Sequence, residues 1–234
     1  SNIDEKISIE CILKNLNSKY ISKVYGFGKD LNINHPNYIF YKVQHLSFKS
    51  AISLANLELD KEIVGICNSD IFIDESCVYW LNIEKELNNN KIYCLSSSEY
   101  INDTKIWKDN KYKNVFYSIK QDFWIFKSPL NIENINNLDY DIDNHGGPNA
   151  FAYELYLNNY IPINNQYKFR ILHYHNQYIK KNNYPKNSGQ LLLPDIDLIK
   201  NIDLNLLSTK INLTNDQIYL VKCFMVSQVL KISK

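Results

Sequence analysis

The stretch EIVGICNSDIFID, residues 62–74, runs apolar from Ile63 to Cys67, breaks at Asn68-Ser69-Asp70 and turns apolar again at Ile71. A carboxylate at the end of what reads as a buried strand has two uses. Asp70 can cap a turn or the following helix, because Asp side chains accept hydrogen bonds from nearby backbone N–H groups. It can also hold a hard divalent cation. Mg2+ and Mn2+ take oxygen ligands, often one or two carboxylates together with substrate phosphates, and Asn68 and Ser69 are polar neighbours suited to a metal–diphosphate site. Far downstream, IPINNQYKFRILHYH (161–175) ends in His173-Tyr174-His175. Side chains alternate along a strand, so both imidazoles share one face. They are either filler in a Tyr-rich strand or cation ligands, and an imidazole donor favours Mn2+ over Mg2+. A third group sits in YSIKQDFWIF (117–126). There Asp122, after Gln121, is either surface polarity or a base and sugar-hydroxyl ligand, with Trp124 or Phe126 as a stacking surface. Asp141 and Asp143, ahead of the Gly146-Gly147-Pro148 turn, are rival carboxylates.

These residues need a scaffold. Apolar spacing predicts a helix over 4–17, a strand over 20–27 ending at Gly26-Phe27-Gly28, and a second strand over 37–44. A helix over 47–57 follows, with Ser47 as N-cap. Strand 63–67 leads to a helix over 75–88 and a strand over 91–97. Residues 122–127 read as a strand, 149–158 as a helix and 161–175 as extended. A polar loop at 180–189 precedes a last helix, 215–231, capped by Thr214. Strands alternating with helices predict βαβ units and a mostly parallel sheet, and the apolar run 63–67 fits a central strand of it. Ligands of such sheets bind beyond the carboxyl ends of the strands, where Asn68, Ser69 and Asp70 fall. No repeat or interdomain linker is visible. The expectation is one α/β domain over 1–234, with its core at about 4–178.

Composition narrows the function. The 234 residues carry a net charge of +1, with 45% hydrophobic and 13% aromatic residues. Phosphate-backbone binding rests on clustered Lys and Arg, so no nucleic-acid partner is expected. No apolar run reaches the roughly 18 residues of a membrane helix, and the polar, acidic start is unlike a signal peptide. Cys11, Cys67, Cys77, Cys94 and Cys223 are odd in number, widely spaced and without CxxC pairing. They read as reduced core cysteines of a cytoplasmic protein rather than a zinc site. The opening Ser1-Asn2 suits an excised domain of a larger multidomain chain. The last helix is apolar enough to pack on the domain or to form a homodimer, and packing is the favoured reading.

In order along the chain, several short motifs resemble metal-dependent glycosyltransferases of the GT-A fold, and among them viral and microbial glycosyltransferase-like domains. The motifs are Glu10-Cys11 with Lys14-Asn15, NSDIFID (68–74), Gln121-Asp122 with Trp124 and Phe126, a Gly-rich turn into Asn149 and Ala152-Tyr153-Glu154-Leu155, and His173-x-His175. The resemblance covers about residues 4–178. It implies a Rossmann-like GT-A domain with a mostly parallel central sheet flanked by helices. It also implies a nucleotide-diphosphate-sugar donor and a hydroxyl acceptor on a glycan or protein. Asn68-Ser69-Asp70 would be the Asp-x-Asp-like element, Asp70 the residue on Mn2+ or Mg2+, and His173 or His175 a late metal ligand. The nucleotide would lie over the first strands, near Phe27 and His45. An inverting enzyme would draw its base from Asp122, Asp141 and Asp143. For a viral protein the compartment would be the host cytoplasm.

The chain departs from the pattern at three places. His45 stands where an Arg is expected, ahead of Ser47-Phe48 instead of Thr-Tyr. Ser96-Ser97-Ser98 stands where a Ser-Arg pair is usual, and Gly147-Pro148 precedes Asn149 in place of an acid. The alternative expectation is therefore a catalytically degenerate domain that binds a nucleotide or carbohydrate.

Overall fold

The computed structural model describes residues 3–87, 90–101, 104–106, 121–142, 147–166 and 168–174. Helix α1 (Ile3–Leu16) is followed by β1 (Val24–Phe27) and β2 (Tyr38–Tyr41), which pair in parallel as a two-stranded ribbon. Then come α2 (Phe48–Glu58), β3 (Ile63–Cys67), β4 (Ile71–Ile73), a 3-10 turn at Val78–Asn82 and the short α3 (Ile83–Glu86). Strands β5 (Lys91–Leu95), β6 (Ser98–Ile101), β7 (Thr104–Ile106) and β8 (Phe123–Lys127) lead to a 3-10 turn at Ile135–Leu138. Helix α4 (Gly147–Leu157), β9 (Ile161–Ile163) and β10 (Ile171–Tyr174) close the described chain. The expected loop 180–189 and helix 215–231 lie outside the described residues.

Two four-stranded sheets stack. The first has the order β3-β8-β5-β9, the second β4-β10-β6-β7. Strand alternation explains how both faces of the first are filled. Trp124 and Phe126 of β8, with Ile92 and Cys94 of β5, face Phe48, Ile52, Phe151 and Leu155 of α2 and α4. Phe123, Ile125, Tyr93 and Leu95 point the other way, onto Ile71, Ile73 and Ile171 of the second sheet. That sheet's outer face sends Phe72, Tyr100 and Leu172 against Ile7 and Cys11 of α1. The result is four layers: helices, sheet, sheet, helix.

The expectation of a mostly parallel sheet is corrected. Pairs β3–β8, β5–β8, β4–β10 and β6–β7 are antiparallel, and only β5–β9 and β6–β10 run parallel within the two larger sheets. A parallel crossover needs a dozen or more residues. Only Asn68-Ser69-Asp70 separates β3 from β4, so the chain turns out of the first sheet and starts the second. Nor is β3 central. It is an edge strand, with Ile63 and Gly65 exposed, and β8 holds the buried middle position. Gly65 is required there, because a Cβ would come within 2.7 Å of the Phe123 ring. The expected helix over 75–88 is also shorter than its apolar spacing suggested. Asp74 accepts hydrogen bonds from the backbone and the hydroxyl of Ser76, a local turn that competes with helix formation.

Candidate functional site

The site grows from one row of aligned residues. Cys67, Phe123 and Leu95 lie side by side at one end of the first sheet, so the next residues, Asn68, Asp122 and Ser96, form its rim. The helices arrive at the same rim. Only residues 59–62 join α2 to β3, and 158–160 join α4 to β9. Each helix of 11 residues is about 16 Å long, matching the length of β3, so the N-termini of α2 and α4 return to the rim. Ser47 caps α2 as expected, with a reciprocal capping box to Ser50.

Asp70 sits in the turn between β3 and β4, which is closed by the Ile71 N–H donating to the Asn68 carbonyl at 3.2 Å. Its own carbonyl accepts the Tyr174 N–H at 2.9 Å. Antiparallel pairing sets His173 opposite Ile71, and the His173 Nε2 lies 2.9 Å from Asp70 Oδ2. Asp70 Oδ1 is enclosed and makes no hydrogen bond. Ser69 is tied to α1, its hydroxyl 2.8 Å from that of Ser8.

The sequence places Asn15 in the Lys14-Asn15 motif without giving it a role. It is buried on α1 and braces the edge of β4 on the side away from β10, where no described strand lies. Its Nδ2 donates to the Ile71 carbonyl at 2.9 Å, and its Oδ1 accepts the Ile73 N–H at 3.1 Å. An amide carries both a donor and an acceptor, so one side chain imitates a neighbouring strand and fixes the start of β4 next to Asp70.

Asp122 belongs to the same rim. Its Oδ2 accepts the Ser97 N–H at 3.1 Å and the Ser97 hydroxyl at 2.6 Å. Cys67 sits within the electrostatic reach of both acids. Burial first, then the charges of Asp70 and Asp122, push its thiol up to about 12. Burial likewise raises Cys11, with Asp70 the next cause. Cys11, Cys67, Cys77 and Cys94 are free thiols, and Cys67 is only half-buried.

Buried Gln121 links this rim to α4. The Trp124 Nε1 donates to Gln121 Oε1 at 3.2 Å, and Gln121 Nε2 donates to Asn149 Oδ1 at 3.1 Å. An indole can only donate, so the direction of the whole chain is fixed. Behind it, Asn164 bonds both the backbone and the hydroxyl of Ser96.

His45 and Asp141, expected at the nucleotide and at the acceptor hydroxyl, pair with each other at the start of α2. His45 Nε2 is 2.7 Å from Asp141 Oδ1, and Nδ1 is 3.3 Å from Asp139 Oδ1. Phe27 ends β1 and stacks on Tyr41, with ring centroids 6.2 Å apart; Tyr25 lies 6.0 Å from the same ring. Lys29, two residues after Phe27, pairs with Glu5 of α1. Glu5 is one helical turn from Ser8, so the aromatic end of the ribbon and the Ser69-Asp70 turn share α1 as a common support. Asp143 and His175 lie outside the described residues.

One carboxylate and one imidazole are a donor set suited to a Mn2+-type cation. Here they contact each other at 2.9 Å and Asp70 Oδ1 is enclosed without a hydrogen bond, so a cation would enter by parting the pair. Among the described residues, no group of three or more His, Cys, Asp or Glu side chains is arranged to hold a metal ion. A cation here would complete its shell with water and phosphate oxygens, as Mg2+ and Mn2+ sites commonly do. Among the described residues no helix is long and apolar enough to cross a membrane. Compared with known proteins, the chain matches no family model, no curated protein and no solved structure.

Proposed function

We propose that the protein is a metal-dependent glycosyltransferase that moves a sugar from a nucleotide-diphosphate-sugar to a hydroxyl of a glycan or protein. The observation that carries the reading is the meeting of Asp70 and His173 at a polar sheet rim, with one Asp70 oxygen left without a hydrogen bond. Asp70 and His173 are the residues that would hold the cation. When bound, the cation neutralises the departing diphosphate as a Lewis acid. Asp122, with Oδ2 held by Ser97, would accept the proton of the attacking hydroxyl. The faces of Phe27, Tyr25 and Tyr41 offer stacking area for a nucleobase, on a ribbon tied to the same helix as Ser69. A thermal-shift screen against UDP-, GDP- and TDP-sugars with Mn2+ tests the reading, since a ligand that binds only the folded chain stabilises it. The expected result is stabilisation that needs both Mn2+ and Asp70. No stabilisation by any donor would contradict it.

A second reading, a binding module without turnover, is favoured by the engagement of two candidate bases. Ser97 donates twice to Asp122, and His45 faces Asp141. Mn2+-dependent nucleotide binding without donor hydrolysis or transfer would select it.

A further inference from the structure

We propose that His45 is a proton-operated clasp that holds the segment around Asp139–Asp141 onto the start of α2. The geometry is that of an imidazole between two acids, with Nδ1 3.3 Å from Asp139 Oδ1 and Nε2 2.7 Å from Asp141 Oδ1. A neutral imidazole has one N–H and one lone pair. Only the imidazolium can donate to both carboxylates, and in the neutral ring one nitrogen lone pair faces a carboxylate oxygen.

The other groups facing His45 among the described residues make the two acids unequal. Asp139 is also held by the Lys49 ammonium at 3.2 Å and the Ser47 hydroxyl at 3.3 Å. Among the described residues the Asp141 side chain contacts His45, and a backbone bridge joins residue 141 to Ser47. Losing the proton therefore removes one tie on a segment also held by Tyr140, whose ring packs on Phe48 and whose hydroxyl donates to the Gly147 carbonyl. The segment continues into Ile142, a core residue packed with α2 and α4.

The pH window follows from both partners. Asp141 first, then Asp139, raise His45 above its ordinary 6.5. A raised imidazole contributes its hold below 6.5 and loses it as pH climbs through the elevated value. Lys49 first, then His45, lower Asp139 below its ordinary 3.8. A lowered carboxyl contributes above 3.8 and loses its hold as pH falls through the depressed value. The clasp is closed between the two and opens as pH rises through the elevated His45 value.

The test is an NMR titration of the imidazole C2 protons in the full chain, with His45 assigned by its absence in His45→Gln. The expected midpoint lies above 6.5 and moves back toward 6.5 in the Asp139→Asn/Asp141→Asn double variant. A midpoint at or below 6.5, or one unmoved in the double variant, overturns the clasp. A second measurement reads the segment itself. Amide exchange of Asp141 and Ile142, corrected for intrinsic rate, should accelerate about two- to fivefold across the midpoint, the range for an exposed ion pair. His45→Lys, which stays charged, should abolish that step. An equal step in both proteins overturns the proposal.

Discussion

His173 Nε2 and Asp70 Oδ2 lie 2.9 Å apart although the two residues are 103 positions apart in the chain. The contact follows from the antiparallel register of β10 on β4, which sets His173 beside Ile71 and lets the Tyr174 N–H bond the Asp70 carbonyl. Backbone pairing therefore holds the two side chains, and the helix that braces β4 controls both.

Asn15→Leu should show this. The variant keeps the volume but leaves the Ile71 carbonyl and the Ile73 N–H unpaired, each costing about 1–3 kcal/mol. The expected loss in chemical denaturation is about 2–6 kcal/mol, with weakened metal binding at Asp70 as a second effect. Unchanged stability would show that β4 needs no brace.

Asp74 anchors the other end of β4. It is fully enclosed, 2.6 Å from Lys105 Nζ, with Arg170 Nε at 3.5 Å. Burial raises its carboxyl, but Lys105 and Ser76 outweigh that and leave it below the ordinary 3.8. A lowered carboxyl contributes stability above 3.8, lost as pH falls through the depressed value. Asp74→Ala should cost about 2–3 kcal/mol at pH 7, less than a fully buried pair because both cations keep contact with water. The gap between variant and parent, measured by urea unfolding, should shrink on acidification below pH 3.8.

Phe48 is the keystone between α2 and the first sheet. Its ring meets Trp124 edge-on at 4.7 Å and stacks on Phe151 at 4.4 Å. Phe48→Ala should lower stability by about 3–5 kcal/mol in denaturant titration. A loss under 1 kcal/mol, against that expectation, would mean the layer is far looser than this packing.

The grip of Ser97 on Asp122 separates the proposed base from its rivals. Ser97→Ala removes a hydrogen bond to a charged group, so kcat for sugar transfer should fall about tenfold with KM little changed. Steady-state kinetics check this, and an unchanged kcat would move the role of base away from Asp122.

Much of the rim could be read in the sequence because it depends on local rules. Ser47 as N-cap and the break at Asn68-Ser69-Asp70 each follow from a few neighbouring residues. The pairing of strands does not. The extended run expected over 161–175 divides into Ile161–Ile163 and Ile171–Tyr174, strands of different sheets. Ile63–Cys67 looks like a buried central strand because Ile, Val and Cys are apolar, yet it lies at an edge, and nothing local says that β8 enters between β3 and β5 in the opposite direction. The helix expected over 75–88 was cut short at its start by one side chain, since Asp74 captured the Ser76 N–H, leaving a 3-10 turn and the short α3. The role of Asn15 was invisible for the same reason as the His173–Asp70 contact: each joins elements more than 50 residues apart, and only the folded register reveals them.

The most direct measurement is Mn2+ affinity by electron paramagnetic resonance on the parent chain, Asp70→Ala, His173→Ala and the double variant, with a nucleoside diphosphate present. If Asp70 and His173 share one cation, each single variant should bind Mn2+ at least about tenfold more weakly, about 1.4 kcal/mol, and the double variant should lose less than the sum of the two. Equal Mn2+ binding by the parent and Asp70→Ala, or no binding by the parent at all, would contradict the account.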